Sequence, residues 1–76
     1  MRPTLQQSNN FLAHKPIEGV RFEHNDYVRV CSGEYKGHTG SVVSVEELGQ
    51  DPLYLLELEA GKDVTVRQSE IERTAF

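Results

Sequence analysis

Four side chains with the chemistry to meet a polyanion lie close together in the segment DYVRVCSGEYKGHTGSVVSV, residues 26–45: Arg29, Tyr35, Lys36 and His38. Arginine and lysine can neutralise phosphates, a term that weakens with salt. A tyrosine ring can stack on a nucleobase, worth roughly 1–3 kcal/mol per base in single-stranded sites. The same residues also suit a plainer role, a solvated loop lysine beside a tyrosine that covers the end of a small fold. Both readings stand at this level.

Other chemistry finds less support. His14, His24 and His38 are separated by ten and fourteen residues, which matches no metal-ligand pattern, so they read as solvent-exposed. Cys31 is the only cysteine. It allows neither an intrachain disulfide nor a cysteine-based metal site, and no neighbouring base is implied that would activate it as a nucleophile. The acids Glu46, Glu47, Asp51, Glu57, Glu59 and Asp63 invite a carboxylate-pair reading, but they fall on strand ends and turns. A solvated acidic face is the expectation, and such a face repels nucleic acid or attracts a basic protein. No catalytic residues, no metal and no cofactor are expected.

The totals agree with a binding module rather than an enzyme. The 76 residues allow one domain, and a chain of this size buries only roughly 60% of its unfolded surface. Composition is ordinary for a soluble globular domain, 37% hydrophobic and 26% charged, with a formal net charge of −4. The acid excess is uneven. From Val42 onward there are eight acids against Lys62, Arg67 and Arg73, whereas residues 25–41 balance Asp26 and Glu34 with Arg29 and Lys36. No apolar run suggests a signal peptide or a membrane span, so a cytoplasmic protein is expected.

The elements that position the central segment follow from period-two alternation. Asp26 to Cys31 reads as a strand with Val28 and Val30 on one face. Gly40 to Glu47 reads as another, with Val43 and Val45 on one face and Val42 on the other. Leu53 to Glu59 is a third, Ala60 to Asp63 a hairpin turn, and Val64 to Arg67 a fourth. Ser69 to Glu72 suggests one 3₁₀ turn, and Arg73 to Phe76 a closing strand. Residues 1–19 are polar and read as a flexible tail, with a short helical turn over Ser8 to Ala13 that Phe11 and Leu12 could dock. Ile17, Val20 and Phe22 begin the folded part. Short strands at tight spacing, without room for a long helix, predict an all-β architecture: a small antiparallel barrel of about five strands over residues 20–76.

Asp26, Val28, Val30, Gly33, Lys36, Gly37, Gly40, Val43 and Val45, taken in order, resemble the KOW motif of NusG-type elongation factors and of a large-subunit ribosomal protein. The resemblance covers about 20 residues directly and implies an SH3-like barrel. It implies that Lys36 and Gly37 sit on the loop that meets a partner, flanked by Arg29 and His38, with Tyr35 as an exposed aromatic beside it. It further implies RNA, a ribonucleoprotein or a protein as the partner, in translation or transcription. The acidic balance departs from the basic ribosomal members. A protein-interaction module that binds a basic partner surface is therefore the second expectation.

Overall fold

The computed structural model describes residues 1–74. One α-helix precedes five strands: α1 (Leu5–Leu12), β1 (Tyr27–Val30), β2 (Thr39–Glu47), β3 (Leu53–Leu58), β4 (Asp63–Arg67) and β5 (Ile71–Arg73), with a 3₁₀ turn, Gln68–Glu70, between β4 and β5. All strand pairs are antiparallel, in a single sheet of order β4-β3-β2-β1-β5.

The connectivity dictates a curled, barrel-like sheet. β4 and β5 are its two edges, which in a flat five-stranded sheet would lie on the order of 19 Å apart. Yet only Gln68–Glu70 joins them, and a 3₁₀ turn of that length rises about 6 Å. The sheet must bend until its edges approach, which turns one face inward. That face carries Val28, Val30, Val42, Val45, Tyr54, Leu56, Leu58, Val64, Val66 and Ile71, all buried. The all-β, five-stranded expectation holds.

Three details differ from the sequence reading. Val43 and Val45 do not share the core face. The β2–β3 register steps from Val42↔Leu56 to Ser44↔Leu55, so a bulge at Val43 turns Val42 and Val45 both inward and leaves Val43 half-exposed. The segment ahead of β1 bonds this stretch of β2: Asn25 N–H donates to Val42 O at 2.8 Å, and His24 Nδ1 lies 2.8 Å from Val43 O. A carbonyl only accepts, so His24 carries its proton on Nδ1 and is a half-buried bulge pin rather than a solvated side chain. The closing strand comes earlier than expected, at Ile71–Arg73, because Ile71 supplies the inward apolar side chain opposite Val30. Ala75 and Phe76, assigned to that strand by sequence, lie outside the described residues.

The third difference concerns the N-terminal segment. Thr4 caps α1 through a reciprocal pair: its hydroxyl accepts from Gln7 N–H at 3.1 Å, while the Gln7 side-chain oxygen accepts from Thr4 N–H at 2.9 Å. The helix ends with His14 at φ 61°, His14 N–H donating to Phe11 O and Lys15 N–H to Asn10 O, just before Pro16. Phe11 enters the core at 3% exposure, its ring 6.2 Å from that of Tyr54, whereas Leu12 remains 51% exposed. Gln68, buried, fastens the following stretch: its side chain accepts from Arg21 N–H at 2.9 Å and from the Tyr54 hydroxyl, and donates to Gly19 O at 3.2 Å. Among the described residues no buried side-chain polar atom lacks a partner.

Candidate nucleic-acid interface

The loop between β1 and β2 is closed at its neck by two backbone bonds of 2.8 Å, Val30 N–H to His38 O and Gly37 N–H to Val30 O. Cys31 N–H donates to Glu70 O at 2.7 Å and ties the loop to the 3₁₀ turn. Gly37 has φ 94°, in the left-handed region that side-chain-bearing residues avoid, and an added Cβ there would meet no atom within 4 Å. Gly33, also at positive φ, sits beneath the Glu70 carboxylate. Gly40 has a different reason to be glycine. It pairs with Val28 on one side and Leu58 on the other, and an added Cβ would strike Glu57 O and stand 2.9 Å from Leu58 Cα.

The structure sorts the predicted contact residues into two groups. Lys36 projects from the loop, exposed, and its side chain has no hydrogen-bond or ion-pair partner among the described residues. His38 is exposed as well, its ring 6.5 Å from Tyr35 at 71°. Arg29, by contrast, is already engaged. It faces Glu72 across the β1–β5 ladder and forms a hydrogen-bonded ion pair with it. That bond makes the guanidinium still harder to deprotonate and holds the Glu72 carboxyl below its usual range. Arg29, Cys31, Lys36, Gly37 and Glu72 surround an open hollow of about 450 Å³, in which one carboxylate faces two cations. Asp26, the first residue of the segment, is paired with Arg73 at 3.0 Å.

Tyr35 is not the free aromatic that the resemblance implied. It is half-buried, its ring packed against the core. Lys62 lies over the ring, Nζ 5.5 Å from the centroid. A nucleobase could reach that face only by displacing Lys62. The β3–β4 turn arrives here because Leu58 pairs with Gly40 and Glu59 N–H donates to Thr39 O at 2.9 Å. Lys62 is thus a cation of the same surface that the sequence reading assigned only to a turn. No local signal connects it to Tyr35.

Beside this cationic loop lies an acidic strip. Glu57 and Asp63 are directly opposite on β3 and β4, and with Glu59 they rim an open hollow of about 390 Å³ floored by Gly40 and Tyr27. Glu59 is held below its ordinary range by hydrogen bonds from Tyr27 and Thr39. Among the described residues no three His, Cys, Asp or Glu side chains gather in a group able to hold a metal ion, and no helix is long and apolar enough to cross a membrane. The Cys31 thiol is aimed at Arg29 O, 3.6 Å away.

A small antiparallel β-domain with a glycine-framed loop between its first two strands is the class these observations define. The family model of the KOW motif matches residues 24–53, from His24 through β1, the loop and β2 to the first residue of β3, so this chain carries a KOW motif. No curated protein matches the chain. KOW motifs are associated with RNA- and ribosome-associated proteins, which supports a binding module in general terms.

Proposed function

We propose that this chain is a non-catalytic binding module of RNA or ribonucleoprotein assemblies, acting in translation or transcription in the cytoplasm, and that RNA meets it at the β1–β2 loop. The observation that carries this reading is the exposed Lys36 on the β1–β2 loop, its side chain unpartnered among the described residues, with Lys62 over the ring of the neighbouring Tyr35, in a chain of net charge −4. Lys36 and Lys62 contact phosphates, His38 adds a donor, and Arg29 contributes after its bond to Glu72 loosens. Titration with single-stranded RNA at low salt tests it. Amide shifts should localise to residues 31–38 and 62, and Lys36→Ala should flatten the dependence of log affinity on log salt by about 0.7. Shifts that bypass this loop, or an unchanged slope, would sink the reading.

The Glu57–Asp63 strip favours a second reading, a module that docks a basic protein surface. In that case a lysine-rich peptide shifts residues 57–63, and Glu57→Lys abolishes the effect.

A further inference from the structure

A second cationic surface lies at the other end of β1. There Asp26 pairs with Arg73, and a cavity of about 180 Å³ opens between the end of α1 and the segment leading into β1. Its accessible apolar lining is the half-buried Ile17 and Val20, set over the buried rings of Phe11 and Phe22. Its rim carries His14, Lys15, Arg21 and Arg73 against one carboxylate, Glu23. Arg73 is occupied by Asp26 and by Arg21 O, and His14 stands 3.6 Å from Glu23. The side chains of Lys15 and Arg21 are exposed and make no hydrogen bond or ion pair with a described residue.

From this arrangement we infer that the cavity is a docking site for an acidic peptide segment, which inserts one apolar side chain and sets flanking carboxylates on Lys15 and Arg21. Three features select that occupant. The volume is below the 300–1,000 Å³ of ordinary small-molecule pockets and suits a single leucine- or phenylalanine-sized group. The aromatic rings offer no free face for a nucleobase: Phe11 and Phe22 are 3% and 6% exposed, and Phe22 is covered by the Tyr54 edge at 5.6 Å and by the Arg73 guanidinium at 5.4 Å. The rim supplies Lys15 and Arg21, neither side chain held in a hydrogen bond or ion pair among the described residues, which draws carboxylates to this end, while the Glu57–Asp63 strip repels them. The site is independent of the RNA reading, since it shares no residue with the β1–β2 loop.

The experiment uses the full chain and a fluorescent peptide bearing a central leucine with two glutamates on each side. Binding should shift the amides of residues 14–23 and 73. Affinity should fall by about tenfold in the double variant Lys15→Glu, Arg21→Glu, and similarly when glycine replaces the peptide's leucine. A peptide with lysines in place of the glutamates should leave residues 14–23 unshifted. Both substituted side chains are exposed, and preserved amide dispersion verifies that the variant folds. The inference is overturned if the acidic peptide does not bind, if charge reversal leaves its affinity unchanged, or if the lysine peptide shifts residues 14–23 as strongly. It is also overturned if only single-stranded RNA moves residues 14–23, which would make this end a nucleic-acid surface.

Discussion

Gly37 and Gly40 belong to the same motif but are held to glycine by different forces, and substitution separates them. At Gly37 the constraint is backbone conformation alone, so Gly37→Ala should cost about 1–2 kcal/mol and leave the sheet intact. At Gly40 the obstacle is the backbone of β3, which cannot move without breaking the ladder. Gly40→Ala should cost about 3 kcal/mol or more, read as the drop in denaturant midpoint, and equal losses at the two positions would refute the distinction. A second residue-scale test concerns Asp51. Ser69 donates to its carboxylate from the hydroxyl at 2.6 Å and from the amide at 2.9 Å, and these bonds hold its pKa below the usual value. A carboxyl depressed by folding stabilises the protein above its unfolded pKa, and that contribution is lost as pH falls through the folded value. Ser69→Ala should therefore raise the Asp51 pKa, seen by carboxyl-carbon NMR, and move the onset of acid unfolding to higher pH.

At the scale of elements, α1 enters the core through one side chain, while the chain ahead of it is tied to Leu48 by Met1. Phe11 is its only buried residue, and Thr4 with Gln7 fixes its start. Phe11→Ala should remove about 3–5 kcal/mol, a large share of the roughly 4–11 kcal/mol expected for a domain of this size. Thr4→Ala, which deletes only the cap, should cost about 1 kcal/mol. If thermal melts show Phe11→Ala to be as mild as Thr4→Ala, α1 does not contribute to the core. The cap, Thr-x-x-Gln before Phe11, is missed at the level of sequence because Gln6, Gln7, Ser8, Asn9 and Asn10 suggest disorder, and the expected helical turn begins only at Ser8. The strands were legible because alternation of apolar residues is local. The bulge at Val43 was not, because two successive valines satisfy either register until β3 selects one.

For the whole molecule the deciding quantity is how charge is distributed over a folded surface. The lysine loop, the acidic strip and the Lys15–Arg21 rim occupy different regions, so a polyanion and a polycation should shift different amides of the same protein. Raising salt from low to physiological strength should weaken both, because the groups involved are exposed. Insensitivity of either to salt would show that the contacts are not those named here.

Sequence alone determined the all-β class, the strand-loop-strand core of residues 26–45 and the glycines that frame it, because these follow from period-two patterning and backbone sterics within short spans. It also placed Lys36 and His38 on an exposed loop. Only the tertiary structure decided that Arg29 is taken by Glu72, that Tyr35 is covered by Lys62, and that Phe11 completes the core. Each of those facts is a pairing between residues far apart in the chain. Such pairings arise when the sheet curls to bring β4 and β5 together, and no local pattern of residues encodes them.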